Sequence, residues 1–238
     1  MQRFAILVVG LALNQAVPSA SQPAAKPPTI AVIDFNNSAL TTDAARYEPF
    51  RAGIADILLT ELSHNPGITV VERGTISKLL EEQDLAKTGR VDAATAARVG
   101  KLLGAQYIIT GGFVIDRKER LRLDARAVNV ETSAVAHVVS VTGVADDLLD
   151  VTTKLAEKMN RGMKLPAYAA TPRPAGAQGA PAGGRLQSLL LYSTALIEEG
   201  PNPAKAKALY TQFLKTSPAD FAVAQRTKAE ARIRALGG

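Results

Sequence analysis

The chain contains no cysteine. This excludes disulfides in any oxidising compartment and an N-terminal lipid carried on cysteine, so stability must come from an ordinary apolar core. Histidine is nearly absent: His64 and His137 are the only two, far apart, with no metal-ligand spacing and no serine elbow, so no metal, cofactor or catalytic residue is assigned. Beyond the first two dozen residues there is no apolar run of the about 20 residues that a transmembrane helix needs. Aromatic residues make up only 5% of the chain, too few to supply the stacking platforms of a nucleic-acid surface, and no nucleic-acid partner is expected.

What is present begins with Met1 to Ala25. Arg3 gives a positive start, Phe4 to Leu13 is apolar, and Pro18-Ser19-Ala20-Ser21 is small and polar, which reads as a secretory signal peptide over residues 1–25 and a periplasmic destination. The net charge of +6 is unevenly spread: residues 29–165 hold 17 Lys and Arg against 18 Asp and Glu, whereas residues 166–238 hold 9 against 4. The alkaline character therefore belongs to the tail.

The stretch Gly67-Ile68-Thr69-Val70-Val71-Glu72-Arg73-Gly74 predicts a short buried strand running into a helix that starts near Thr75 and closes around Gly89. Glu72-Arg73 at the junction reads as a local ion pair or capping contact, with a partner contact as the alternative. Upstream, Thr29 to Phe35 is a continuous apolar run and predicts a central strand covered on both faces. Asp34 at its end reads as a turn former. Pro49 opens a helix with Phe50, Ile54, Ile57, Leu58 and Leu62 inward and Arg51, Asp56 and Glu61 toward water. Asp92 is an expected N-cap for a helix over residues 93–103, ended by a left-handed Gly104.

From Ala105 the pattern predicts three strands, over residues 105–115, 121–130 and 134–144, joined by short turns in an antiparallel meander. Asp146-Asp147 then open a last helix suited to its dipole. The fold class is α/β, a mixed sheet in the order β-α-β-α-α-β-β-β-α over residues 29–165, plus a small all-α C-terminal module. Pro166 to Gly184 reads as a flexible linker; its glycines form no phosphate loop, because no strand precedes them and no Lys-Ser or Lys-Thr follows. Residues 185–238 predict three helices, 186–199, 204–215 and 219–236. In them Tyr192, Ala195, Ala206, Tyr210, Phe213 and Pro218 resemble a tetratricopeptide helix pair. One repeat plus a capping helix is fewer than such a stack usually needs for independent stability, so the module is expected to pair with another copy or dock on a partner, with a small helical hairpin that has no partner as the alternative.

Ile30-Ala31-Val32-Ile33-Asp34-Phe35, the Ile68 to Arg73 strand followed by Leu79-Leu80-Glu81-Glu82-Gln83, and then Gly104 to Gly112 and Leu123 to Thr132 resemble the CsgG-like curli production assembly/transport family, over roughly residues 29–165. The resemblance implies an envelope protein with a periplasmic α/β domain, from a family whose channel members are lipid-anchored, ring-forming outer-membrane secretion pores. Those members carry membrane-inserting hairpins after the first and third meander strands. Here those places hold only Asp116 to Arg120 and Gly143 to Asp146, and a spanning strand needs about 9–11 residues. The expectation is therefore a non-enzymatic periplasmic scaffold or accessory component of CsgG-like secretion, lacking the pore parts. The alternatives are a regulator of cell-wall synthesis that binds an envelope enzyme, and an outer-membrane channel subunit. The expected partners are envelope proteins, with self-association into a homo-oligomer left open. Convergence of Asp34, Glu72, His64 and His137 in one pocket would instead point to an enzyme.

Overall fold

The computed structural model describes residues 26–39, 44–82, 92–166 and 184–237. The expected signal peptide (1–25), the expected helix end near Gly89 and all but the ends of the expected linker lie outside them. The mixed α/β architecture follows the predicted order. Six strands form one sheet: β1 (Thr29–Val32), β2 (Asn36–Asn37), β3 (Thr69–Val70), β4 (Tyr107–Ile115), β5 (Arg120–Asn129) and β6 (Val135–Val144). They lie in the order β3-β1-β4-β5-β6, with β2 pairing the far half of β4. β1 is parallel to both β3 and β4, while β4, β5 and β6 form the expected antiparallel meander.

The lack of alternation in β1 has the anticipated cause. Ile30 and Val32 enter one core with α1 (Phe50–Ser63) and α4 (Leu148–Gly162), while Ala31 and Ile33 enter a second core on the opposite face with α2 (Arg73–Glu82) and α3 (Ala93–Leu102). The alternation of β5 is equally direct. Leu121, Leu123, Ala125 and Ala127 are buried, and Arg122, Asp124 and Arg126 lie on the other face. Asp92 caps α3 by accepting from the Thr95 N–H at 2.7 Å, and Gly104 is left-handed with φ 64°. The hairpin turns are also made locally: Asp116 Oδ1 accepts from the N–H groups of Lys118 and Arg120, and Asn129 Oδ1 from those of Glu131 and Thr132.

The strand expected to be buried within Gly67 to Gly74 is reduced to Thr69–Val70, with Thr69 exposed and Val70 half-buried, and its helix opens at Arg73, before Thr75. Two further predicted features differ. α1 does not turn Asp56 to water. Asp56 is buried along with Ala52, Gly53, Ala55, Leu59 and Thr60, so the helix is covered almost all round. The reason is the tail. α5 (Gly184–Glu198), α6 (Pro203–Thr216) and α7 (Val223–Ala235) follow, and α5 packs on the side of α1 turned away from the sheet. The apolar face that a single helix pair cannot cover is thus covered within the same chain. Second, Asp146 and Asp147 stand in a 3-10 turn, Ala145–Asp147, and neither side chain caps α4. They reach the tail instead: Asp146 Oδ1 accepts from the Leu186 N–H at 2.9 Å, and Asp147 Oδ1 from Arg185 Nη1 at 3.4 Å. Acidic side chains at a helix start are favourable whichever element supplies them, because the first N–H groups of the helix have no internal partners.

The contact between α1 and α5 is close because Gly53 has no side chain. A Cβ there would lie 1.9 Å from Ser193 Oγ and 2.8 Å from Ser193 Cβ. Beyond it, Tyr192 meets Tyr210 edge-on at 5.8 Å and Phe213 at 5.4 Å, centring the α5–α6 joint on three fully buried rings. We expect Gly53→Val to destabilise the protein by about 1–3 kcal/mol, as overpacking does, and to raise protease sensitivity within residues 184–237 before that of the sheet. Ser193→Gly in the same chain should recover part of the loss, and an unchanged melting temperature for Gly53→Val would refute the contact.

Candidate functional site

Asp34 lies where β1 leaves the sheet. From Val32 to Asn36 the chain advances four residues, while its partner β4 advances three, from Ile109 to Gly112. One residue is therefore surplus, as in a bulge. The strand resumes after Ile33 N–H has bonded to the Ile109 carbonyl and Phe35 N–H to the Arg51 carbonyl. Phe35 is buried against Gly111, where a Cβ would lie 2.1 Å from the Asp124 carbonyl oxygen and 2.7 Å from the Phe35 ring. Asp34 accepts from Arg73 Nη1 at 2.7 Å, both side chains being partly exposed. The pair expected within Glu72-Arg73 thus forms between Arg73 and Asp34, tying the end of β1 to the first turn of α2. Glu72 is exposed, and its carbonyl accepts from the Thr75 and Ile76 N–H groups.

The other candidates for enzyme chemistry lie elsewhere. His64 is exposed at the C-terminal end of α1, a helix whose first turn holds Arg51, so it is separated from Asp34 by most of the length of α1. His137 is half-buried on β6, its ring over Gly162 of α4. Asp34, Glu72, His64 and His137 do not converge in one pocket, and among the described residues no group of three or more His, Asp or Glu is placed to hold a metal.

Two polar arrangements stand out instead. One is internal. Asp56 of α1, 5% exposed at its side chain, accepts from the Tyr192 hydroxyl at 2.8 Å and from Lys228 Nζ at 2.9 Å, and the same ammonium donates to Thr60 Oγ1 at 2.6 Å. α1, α5 and α7 therefore meet at one carboxylate. Nearby the Tyr210 hydroxyl donates to Glu199 Oε1 at 2.6 Å, and Glu199 also takes both ends of the Arg232 guanidinium. Burial, and then the negative charge of Asp56, push the Tyr192 phenol well above its ordinary range; burial and the bond to Glu199 do the same to Tyr210.

The other arrangement is external. Among the described residues β6 is an edge strand of the sheet, pairing only with β5. Its ten residues, Val135 to Val144, include neither proline nor a charged side chain, the usual means of blunting an edge. α4 runs antiparallel beneath it: Val151 fills the space over Gly143, and the His137 ring fills the space over Gly162. Leu155, Ala156 and Met159 hold α4 against the sheet. Lys154, Glu157, Lys158 and Arg161 recur at helical spacing on another side of the helix. These four, with Ser140, Val141, Thr142 and Arg122, line an open groove of about 450 Å³ along the strand edge. On the far face of the sheet Arg122 donates to Asp124 at 2.8 Å, and Asp124 also accepts from Ser140. The hydrogen bond from Arg122 holds the Asp124 carboxyl below its usual range. The groove was missed in the sequence. Its signals were a charged stripe opposite the apolar stripe of α4, and a β-branched strand without gatekeepers.

Residues 12–115 match the family described as curli production assembly/transport component CsgG. The chain resembles that family. The match begins before the Ile30 to Phe35 run and ends with β4, before most of the meander. Similar solved structures include the LpoB C-terminal domain from Salmonella enterica, at 15% identity, covering 50% of this chain and 84% of that one with a TM-score of 0.39. Lipoprotein GNA1162 from Neisseria meningitidis shares 13%, covering 50% and 81%, with a TM-score of 0.39. The PelC dodecamer from Paraburkholderia phytofirmans shares 16%, covering 63% and 96%, with a TM-score of 0.33. Likenesses at these scores carry no functional weight. No curated protein matches the sequence.

Asp56→Ala should cost about 1–3 kcal/mol in denaturant unfolding, because it leaves the buried Tyr192 hydroxyl and the Lys228 ammonium without their acceptor; a loss below about 0.5 kcal/mol, the scale of a surface change, would refute the cluster. The tyrosines set an alkaline limit. A phenol whose folded pKa is raised keeps its proton where the unfolded chain loses one, near pH 10. The stability contributed by Tyr192 and Tyr210 is thus intact below about pH 10 and falls above it, by about 1.4 kcal/mol per pH unit for each phenol. Ultraviolet titration should show these two of the five tyrosines ionising only as the protein unfolds, and the alkaline slope should halve in Tyr210→Phe.

Proposed function

We propose that the protein is a non-enzymatic binding protein of the cell envelope, a scaffold or accessory component of a CsgG-like secretion or assembly system without pore-forming hairpins. The observation that carries this reading is the pair of connections where the channel members of the family would carry their inserted segments. β4 passes to β5 through Asp116 to Glu119 alone, and β6 passes to α4 through the Ala145–Asp147 turn. The match over residues 12–115 supports the envelope setting, as do the leader features of residues 1–25. The scattered positions of Asp34, Glu72, His64 and His137 favour binding over catalysis.

The domain division is part of this proposal: a CsgG-like body over residues 29–165, a linker over 166–184 and a tetratricopeptide-like module over 185–238. In this reading the module acts chiefly as a cover for α1, which makes α6 and α7, not α5, the parts of the tail turned toward other molecules. No helix among the described residues is long and apolar enough to cross a membrane.

Fractionation of cells carrying the tagged full-length chain, followed by photocrosslinking in place, tests the reading. The expected result is recovery from the periplasm with one or a few envelope proteins attached. Recovery from the cytoplasm, or ion conductance by the purified mature chain in planar bilayers, would overturn it.

A further inference from the structure

The groove follows β6, the longest unpaired strand edge of the sheet among the described residues. The other edge, β3, has only two residues. In an antiparallel pair alternate residues of each strand turn their N–H and C=O groups away from the partner, so a ten-residue edge strand offers several unpaired groups to an added strand. Val138, 62% exposed, leaves one apolar patch on the side away from α4. Below the edge, Lys154, Lys158 and Arg161 form a row on α4 with Glu157 among them and Asp150 one turn before Lys154, so cations outnumber carboxylates along this stripe, and Lys154, Lys158, Glu157 and Arg161 all line the groove. Arg122, on the other flank, is already neutralised by Asp124. The surplus positive charge therefore lies on the α4 side alone.

We propose that this groove binds an extended acidic segment of a partner protein by strand addition to β6. The added strand alternates: carboxylate side chains point down to Lys154, Lys158 and Arg161, and small or β-branched side chains point up beside Val138 and Thr142. Backbone pairing supplies the common part of the affinity, and the cationic row supplies direction and choice. A second copy of this chain is a poor occupant. Pairing β6 with β6 about a twofold axis sets the two rows of Lys154, Lys158 and Arg161 on the same face and toward each other, where like charges repel. A flexible polyanion would satisfy the cations and leave the strand edge unpaired.

This inference rests on the reading of the protein as a binding protein and names the class of partner. Its test is a binding titration of the full mature chain with a synthetic octapeptide, Thr-Glu-Val-Glu-Val-Glu-Thr-Glu, followed by hydrogen exchange. Three comparison probes are the same peptide N-methylated at alternate residues, its lysine counterpart, and inorganic polyphosphate.

The glutamate peptide is expected to bind and to slow exchange across residues 135–144. The N-methylated form should bind about tenfold more weakly or less, because it cannot complete the ladder. Lys154→Glu/Lys158→Glu, two exposed substitutions checked by thermal melting, should weaken the glutamate peptide about tenfold and reverse the preference toward the lysine peptide. Failure of the glutamate peptide to bind, equal binding of the N-methylated form, or protection of β6 by polyphosphate alone would each overturn the proposal. The titration does not depend on export, so it can fail while the envelope location stands, and the converse also holds.

Discussion

Helix α1 has almost no surface to give to water, and the rest of the molecule is arranged around that constraint. Phe50, Ile54, Ile57, Leu58 and Leu62 belong to the sheet side of the core, while Gly53, Asp56 and Thr60 face the tail. A helix that is apolar nearly all round must be buried nearly all round. The sheet with α4 covers one side, and α5 has to cover the other. The tail therefore shares one apolar core with the body that precedes it, meeting α1 closely at Gly53 and through a shared carboxylate at Asp56.

That carboxylate also sets the orientation of the tail. Burying an ionised group costs several kcal/mol unless its charge and lone pairs are met. Here one oxygen takes the Tyr192 hydroxyl and the other the Lys228 ammonium, which arrive from two different helices. Apolar packing of α5 on α1 would tolerate sliding or rotation. The hydrogen bonds to Asp56 do not, since a shift of a few ångströms would leave a buried charge unpaired. Asp146 and Asp147 act at the other end of α5 in the same sense, and Arg73 with Asp34 does so for α2 at the end of β1. Asp146, Asp147 and Asp34 thus each stand at the end of one element and fix a different one.

The same economy leaves β6 open. α4 is spent on the inner face of β5 and β6, and α2 and α3 cover only the β1 end of the opposite face, around Ala31, Ile108 and Val128. Nothing among the described residues pairs with the outer edge of β6. A strand rich in valine, flanked by cations, is thus held rigidly along one helix and left to water along the other side.

Much of this was legible in the sequence, because it depends on local rules. The unbroken apolar run of β1, the alternation of β5, the Asp92 cap, the left-handed Gly104 and the short hairpin turns each follow from the conformational preferences of a few adjacent residues, and the order of elements came from them. What neighbouring residues cannot encode is which distant surface a side chain will meet. Asp56 has the spacing of a solvent-facing residue, and only the arrival of Tyr192, 136 positions later, makes it an internal one. Gly53 reads as a weak point in a helix until Ser193 lies against it. Glu72 and Arg73 are adjacent, yet successive side chains at a strand-to-helix junction diverge, and Arg73 reaches Asp34 across the sheet edge. The groove at β6 is of the same kind, since a strand edge and a helix stripe become one site only when packing sets them side by side. Local preference fixed the elements; long-range burial and charge pairing, which depend on three-dimensional neighbours, decided their partners.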